Sequence, residues 1–128
     1  MKNVRLNDGL ERLGVKEIID GSGYEGGVFR ETAIESIRLP STLRRVEAMT
    51  FAGCQNLKSV KIPEGVEYIG EQCFYDSGVE EIVLPGTLRE INESAFWLCR
   101  SLRTVWVEEG CALDVRKYVG QNVEVCPK

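Results

Sequence analysis

The sequence predicts a solenoid of short stacked repeats, right-handed and mostly β, with a parallel sheet of about five short strands along one side and a cap at the carboxy-terminal end. Three observations lead there. Apolar and proline positions recur at intervals of 22 and 23 residues. The pattern extends beyond its best copies toward both ends of the chain. Two columns of outward residues alternate in charge once the copies are laid over one another.

The best copies are "IESIRLPSTLRRVEAMTFAGCQNL" from Ile34, "KSVKIPEGVEYIGEQCFYDSGV" from Lys58 and "EEIVLPGTLREINESAFWLCRSL" from Glu80. Pro40, Pro63 and Pro85 share one column, as do Ile37/Val60/Ile82, Leu39/Ile62/Leu84, Val46/Ile69/Ile91 and Phe51/Phe74/Phe96. Upstream, "VRLNDGLERLG" from Val4 matches "VKIPEGVEYIG" from Val60, and Phe29 aligns with Phe74. Downstream, Val105 and Val107 restart the unit. Strands are therefore expected to start at Val4, Ile37, Val60, Ile82 and Val105.

Within a unit, apolar residues at alternate positions (Val60, Ile62) read as a short strand, and the proline ends it because it brings no N–H to a ladder. A second apolar pair follows (Val66, Ile69), then a tight turn carrying the phenylalanine. One unit cannot bury its apolar side alone, but stacked units share a continuous core. Stacked strands lie about 4.8 Å apart, so residues of one column become neighbours. The column Lys2, Glu35, Lys58, Glu80, Arg103 alternates in sign, and so does Glu11, Arg44, Glu67, Arg89. Opposite exposed neighbours gain roughly 0.2–1 kcal/mol each whereas like ones repel, so this alternation favours stacking in this register. A solvated ladder accounts for these charges without a catalytic role.

Composition narrows the functional classes. At 128 residues the chain holds one domain, about half of what a kinase fold needs. A net charge of −4, with no basic run, argues against nucleic acid as a partner. Histidine is absent, which removes the usual neutral-pH base, Ser-His and Cys-His nucleophile pairs, and the commonest metal ligand. No enzyme, cofactor or metal site is expected. Neither an apolar leader in the first residues nor a segment approaching the roughly 18 apolar residues of a membrane span is evident.

Five cysteines without C-x-x-C spacing indicate neither a zinc ribbon nor a closed disulfide framework. Cys54 and Cys99 share a column two units apart with Ser77 between them, about 10 Å from strand spacing and too far for a disulfide. Cys73 occupies the small-residue column of Thr50 and Ala95 and should be buried. Cys111 and Cys126 fall together in the terminal segment and can pair in an oxidising compartment.

The stretch "IIDGSGYEGGVF", from Ile18 to Phe29, fits the nucleotide-loop pattern G-x-G-x-x-G-x-V through Gly21, Gly23, Gly26 and Val28. A phosphate cradle would also need a following strand with a phosphate-pairing lysine, and "RETAIESIRLP" contains none. Fourteen residues separate Gly14 from Phe29 where three separate Gly70 from Phe74, so the glycines belong to an insertion at 15–27. A bulging surface loop explains them, with Tyr24 as a candidate contact.

The unit L-x-x-V-x-I-P-x-x-V-x-x-I-G-x-x-x-F-x-x-C is best seen from Leu57 to Phe74 and is closed by Cys54 and Cys99 in the flanking copies. It resembles the BspA-like leucine-rich repeat family over nearly the whole chain. The resemblance implies a leucine-rich-repeat solenoid that mediates adhesion or protein binding at a cell surface, rather than chemistry. The chain differs from the family's usual pattern in its insertion and its few repeats, and its first residues give no expectation of a signal peptide. The expected organisation is a single domain, 1–128. Residues 4–34 form the first repeat, 35–57, 58–79 and 80–102 the regular repeats, and 103–128 the last strand and cap.

In that last segment, Leu113, Val115, Tyr118 and Val119 suggest the apolar side of a short helix ended by Gly120, followed by a small strand at Val123 to Val125. The amino-terminal edge starts directly on a strand and is expected to stack on further repeats or on a partner.

The outward column of the sheet reads Arg5, Arg38, Lys61, Val83, Trp106. Tryptophan and arginine are enriched at binding hot spots, so this column, flanked by Tyr24 and its loop, is the candidate site for a protein or other macromolecule. The competing expectation is that the cap folds over Trp106 and buries it. Tyr75 and Trp97, each following its repeat phenylalanine, form a secondary patch. Two other readings are a structural or self-assembling spacer of a longer repeat protein and a nucleotide-binding enzyme acting through Gly21 to Gly26.

Overall fold

Alternating apolar residues shape the first strand of each unit, a proline ends it in the three regular ones, and stacking creates the second strand. A computed structural model describes residues 3–6, 9–13 and 29–128, residues 12 and 13 by backbone alone. Its strands are β1 (Asn3–Arg5), β2 (Arg12–Leu13), β3 (Ser36–Arg38), β4 (Arg45–Val46) and β5 (Ser59–Lys61). They continue with β6 (Tyr68–Ile69), β7 (Glu81–Leu84), β8 (Glu90–Ile91), β9 (Thr104–Val107) and β10 (Glu124–Pro127).

All pairings are parallel. One side of the solenoid carries β1 beside β3 and then the ladder β5-β7-β9-β10; another carries β2-β4-β6-β8. Val4 lies opposite Ile37, and Val60, Ile82 and Val105 are in line, as the repeat spacing predicts. The architecture is the expected parallel β-solenoid of stacked repeats.

Two features differ from expectation. The Val46/Ile69/Ile91 column is a ladder in its own right, with the Gly70 N–H donating to Val46 O at 2.8 Å and the Asn92 N–H to Ile69 O at 2.9 Å. Two-residue strands are too short to show a period of two, so only stacking reveals them. The terminal segment forms a single 3₁₀ turn, Val115–Tyr118, instead of an amphipathic helix. Its strand β10 joins the sheet in register, Val125 opposite Val105. The cap is thus chiefly a sixth strand in the main column, reached after 20 residues instead of 22 or 23.

The core is one continuous column of columns. Leu43, Val46, Leu57, Ile62, Val66, Ile69, Ile82 and Leu84 are wholly buried. The rings of Phe29, Phe51, Phe74 and Phe96 stack with centroids 6.0, 5.4 and 5.4 Å apart, which places Phe29 in the repeat; the insertion expected at 15–27 lies outside the described residues. The turn bearing each phenylalanine takes a left-handed residue two positions later: Glu31, Gly53, Asp76 and Leu98, with φ between 52° and 71°.

Beside the ring stack runs a hydroxyl and thiol column. The Thr32 hydroxyl and the Cys54 thiol both donate to Phe29 O, at 2.8 and 3.0 Å, and the Cys99 thiol donates to Phe74 O at 2.7 Å. All five cysteines are free, Cys111 and Cys126 included. Cys73 is fully buried, as its column suggested.

The charge columns stack through the backbone. The Arg44 N–H donates to Glu11 O, Glu67 to Arg44 O and Arg89 to Glu67 O, at 2.7 to 2.9 Å. The Arg44 guanidinium turns to the carbonyls of Ser41 and Leu43. Glu47 is an unforeseen buried carboxylate, 0 % exposed, held by Arg45 Nε at 2.8 Å, whose guanidinium lies 4.1 Å over the Tyr68 ring. Gly70 leaves room for that bend: a Cβ there would sit 2.8 Å from the backbone of Glu47 and Ala48.

Candidate interaction face

Residues one step to either side of the buried strand column must point outward, so strand pairing lines them up across the face. Arg5 is the register partner of Arg38; Lys61, Val83, Trp106 and Cys126 form a continuous row on the adjoining ladder. The three cationic residues are exposed, while Val83 and Trp106 are half-buried. None of Arg5, Arg38 and Lys61 has a carboxylate within ion-pair distance among the described residues; the ion pairs seen there are Arg30–Glu31 and Arg45–Glu47.

The cap neither leaves Trp106 bare nor buries it. β10 runs alongside, and Lys128 Nζ sits 5.5 Å from the ring centroid, a cation–π distance. Cys126 and Lys128 therefore belong to this face, a membership the sequence concealed because the last interval is shortened. The spacing Val105 to Val125, read as an abbreviated repeat, was the available signal.

The sheet is interrupted between β3 and β5, which lie side by side without a backbone ladder. A cleft of about 600 Å³ opens there, with Arg5, Arg38 and Lys61 at its rim and Leu6, Leu39 and Pro63 among its apolar walls. Ile37, which lines it, is half-buried like its register partner Val4, whereas Val60, Ile82 and Val105 of the same column are at most 3 % exposed. The cleft was not foreseen, since the Ile34 copy has the same strand pattern as the others.

The secondary patch lies on the turn side, away from the strands. Tyr75 is half-buried, Trp97 is 53 % exposed, and Leu98 beside it is 47 % exposed. Tyr24 and the loop from Gly21 to Gly27 lie outside the described residues. Burial pushes the thiols of Cys54 and Cys73 up and that of Cys99 up to about 11, the opposite of an activated nucleophile. Among the described residues no cluster of acidic or thiol side chains could hold a metal ion, and no helix is long and apolar enough to cross a membrane.

Parallel strands repeated every 22 or 23 residues around a phenylalanine stack define a leucine-rich-repeat solenoid. The chain belongs to the BspA type leucine-rich repeat family, whose six-copy sequence model matches residues 25–119. A solved structure of similar fold is the T. pallidum Leucine Rich Repeat protein (TpLRR), at a TM-score of 0.68 and 23% sequence identity, covering 98% of this chain and 57% of that one. The chain thus spans little more than half the length of that protein. No curated protein matches it by sequence.

Proposed function

We propose that the protein is a non-catalytic binding module that recognises another protein on its strand face, centred on Arg38, Lys61, Val83 and Trp106. The observation that carries this reading is the row of outward side chains on paired strands, basic at one end and apolar with a half-exposed tryptophan at the other. Strands hold such a row at fixed spacing, so a partner meets a preorganised surface and little ordering entropy is lost on binding. Raised thiol pKa values, the absence of histidine and the repeat family all support binding over chemistry.

A random dodecapeptide phage library selected on the intact protein tests the site. Binders should lose at least tenfold in affinity on the Trp106→Ala/Lys61→Glu variant, whose circular dichroism stays unchanged. Binders indifferent to the double substitution would reject the strand face as the site.

A further inference from the structure

Resting on that reading of the strand face, the geometry points to a particular chemistry of partner: an extended acidic peptide segment, with carboxylates across the β3–β5 cleft and an apolar side chain toward Val83 and Trp106. Three observations converge on it. Arg5 and Arg38 are direct register partners, and like charges placed opposite one another on a sheet destabilise it. Lys61 joins them at the rim of the same cleft. The three carry no ion pair among the described residues, in a chain whose own net charge is −4 and which elsewhere alternates its column charges. An external anion relieves the repulsion that no residue described in the fold relieves.

The apolar groups interspersed among the polar lining bear on what kind of anion fits. Leu6, Leu39 and Pro63, with the half-exposed Ile37, line the same cleft as the cations, and the row then continues to Val83 and Trp106. A peptide alternates its side chains and can offer carboxylates and an apolar anchor from one strand. Nucleic acid offers phosphate in a continuous run. Along the row beside the tryptophan stand Glu81 on β7 and Glu124 on β10, both exposed, which would repel such a run beyond the third strand. The paired steps β1–β3, β5–β7 and β7–β9 are each about 4.8 Å, and with the unladdered β3–β5 step the row spans roughly 20 Å, the reach of about six extended residues.

Fluorescence polarisation tests this with a fluorescein-labelled hexapeptide Asp-Glu-Asp-Glu-Leu-Phe, its amide counterpart Asn-Gln-Asn-Gln-Leu-Phe, and a single-stranded oligothymidylate. The acidic peptide should bind, should weaken at least tenfold with Arg38→Glu and separately with Lys61→Glu, and should weaken as salt is raised. Equal binding of the amide peptide, tighter binding of the oligothymidylate, or no response to either charge reversal would overturn the proposal. The phage selection separates the two levels. Face-dependent binders of neutral or basic sequence would defeat the acidic preference alone, and the absence of face-dependent binders would defeat both.

Discussion

Leu98 holds a left-handed conformation, φ 57°, with 47 % of its surface exposed, at the column where the Phe51 unit has Gly53 at φ 71°. The left-handed region costs an L-residue about 1–2 kcal/mol, and glycine's extra unfolded-chain freedom offsets roughly 0.5–1 kcal/mol of the gain from relieving it. Leu98→Gly should therefore raise stability by ~0.5–1 kcal/mol in urea denaturation; a lower midpoint would contradict the strain. The buried thiols make an alkaline prediction. Burial holds the Cys99 thiol protonated in the folded state up to about pH 11, against an ordinary value of 9.0, with Cys54 and Cys73 shifted the same way. A folded pKa above the unfolded one means stability fully present below pH 9 and lost as pH rises toward 11. The urea midpoint should be flat from pH 6 to 8 and fall between 9 and 11. Cys99→Ser, whose hydroxyl can still donate to Phe74 O, should make that fall shallower.

Among elements, the phenylalanine stack and the strand columns hold one turn on the next. Phe74 lies between two rings at 5.4 Å and is wholly buried, whereas Phe29 has one ring neighbour at 6.0 Å and is half-buried. Phe74→Ala should cost ~3–5 kcal/mol, in the range of fully buried aromatic truncations, and Phe29→Ala clearly less. Equal losses in thermal unfolding would mean that the stack does not transmit stability from turn to turn. Both the repeat and this column were legible in the sequence, because a side chain that must stack on its own kind keeps its spacing. The two-residue strands β4, β6 and β8 were not, because two residues carry no period.

At the scale of the whole molecule, β10 closes the main sheet, and without it β9 would present an open edge bearing Val105, Trp106 and Val107. Exposed apolar strand edges pair with other chains. Removing residues 124–128 should therefore produce concentration-dependent association by light scattering where the intact chain shows less; an unchanged mass would deny β10 that protective role. The same strand is why Trp106 is only half exposed, and it adds Cys126 and Lys128 to the outward row.

Repeat length, strand register, the buried columns and the outward row from Arg5 to Trp106 could be read from the chain alone. Each is a consequence of identical units stacking at one spacing, so each appears as periodicity. The cleft between β3 and β5, the burial of Glu47 under Arg45, the single 3₁₀ turn and the addition of β10 to the sheet required the fold. They arise where neighbouring turns differ, and a contact between unlike turns leaves no repeating mark in either.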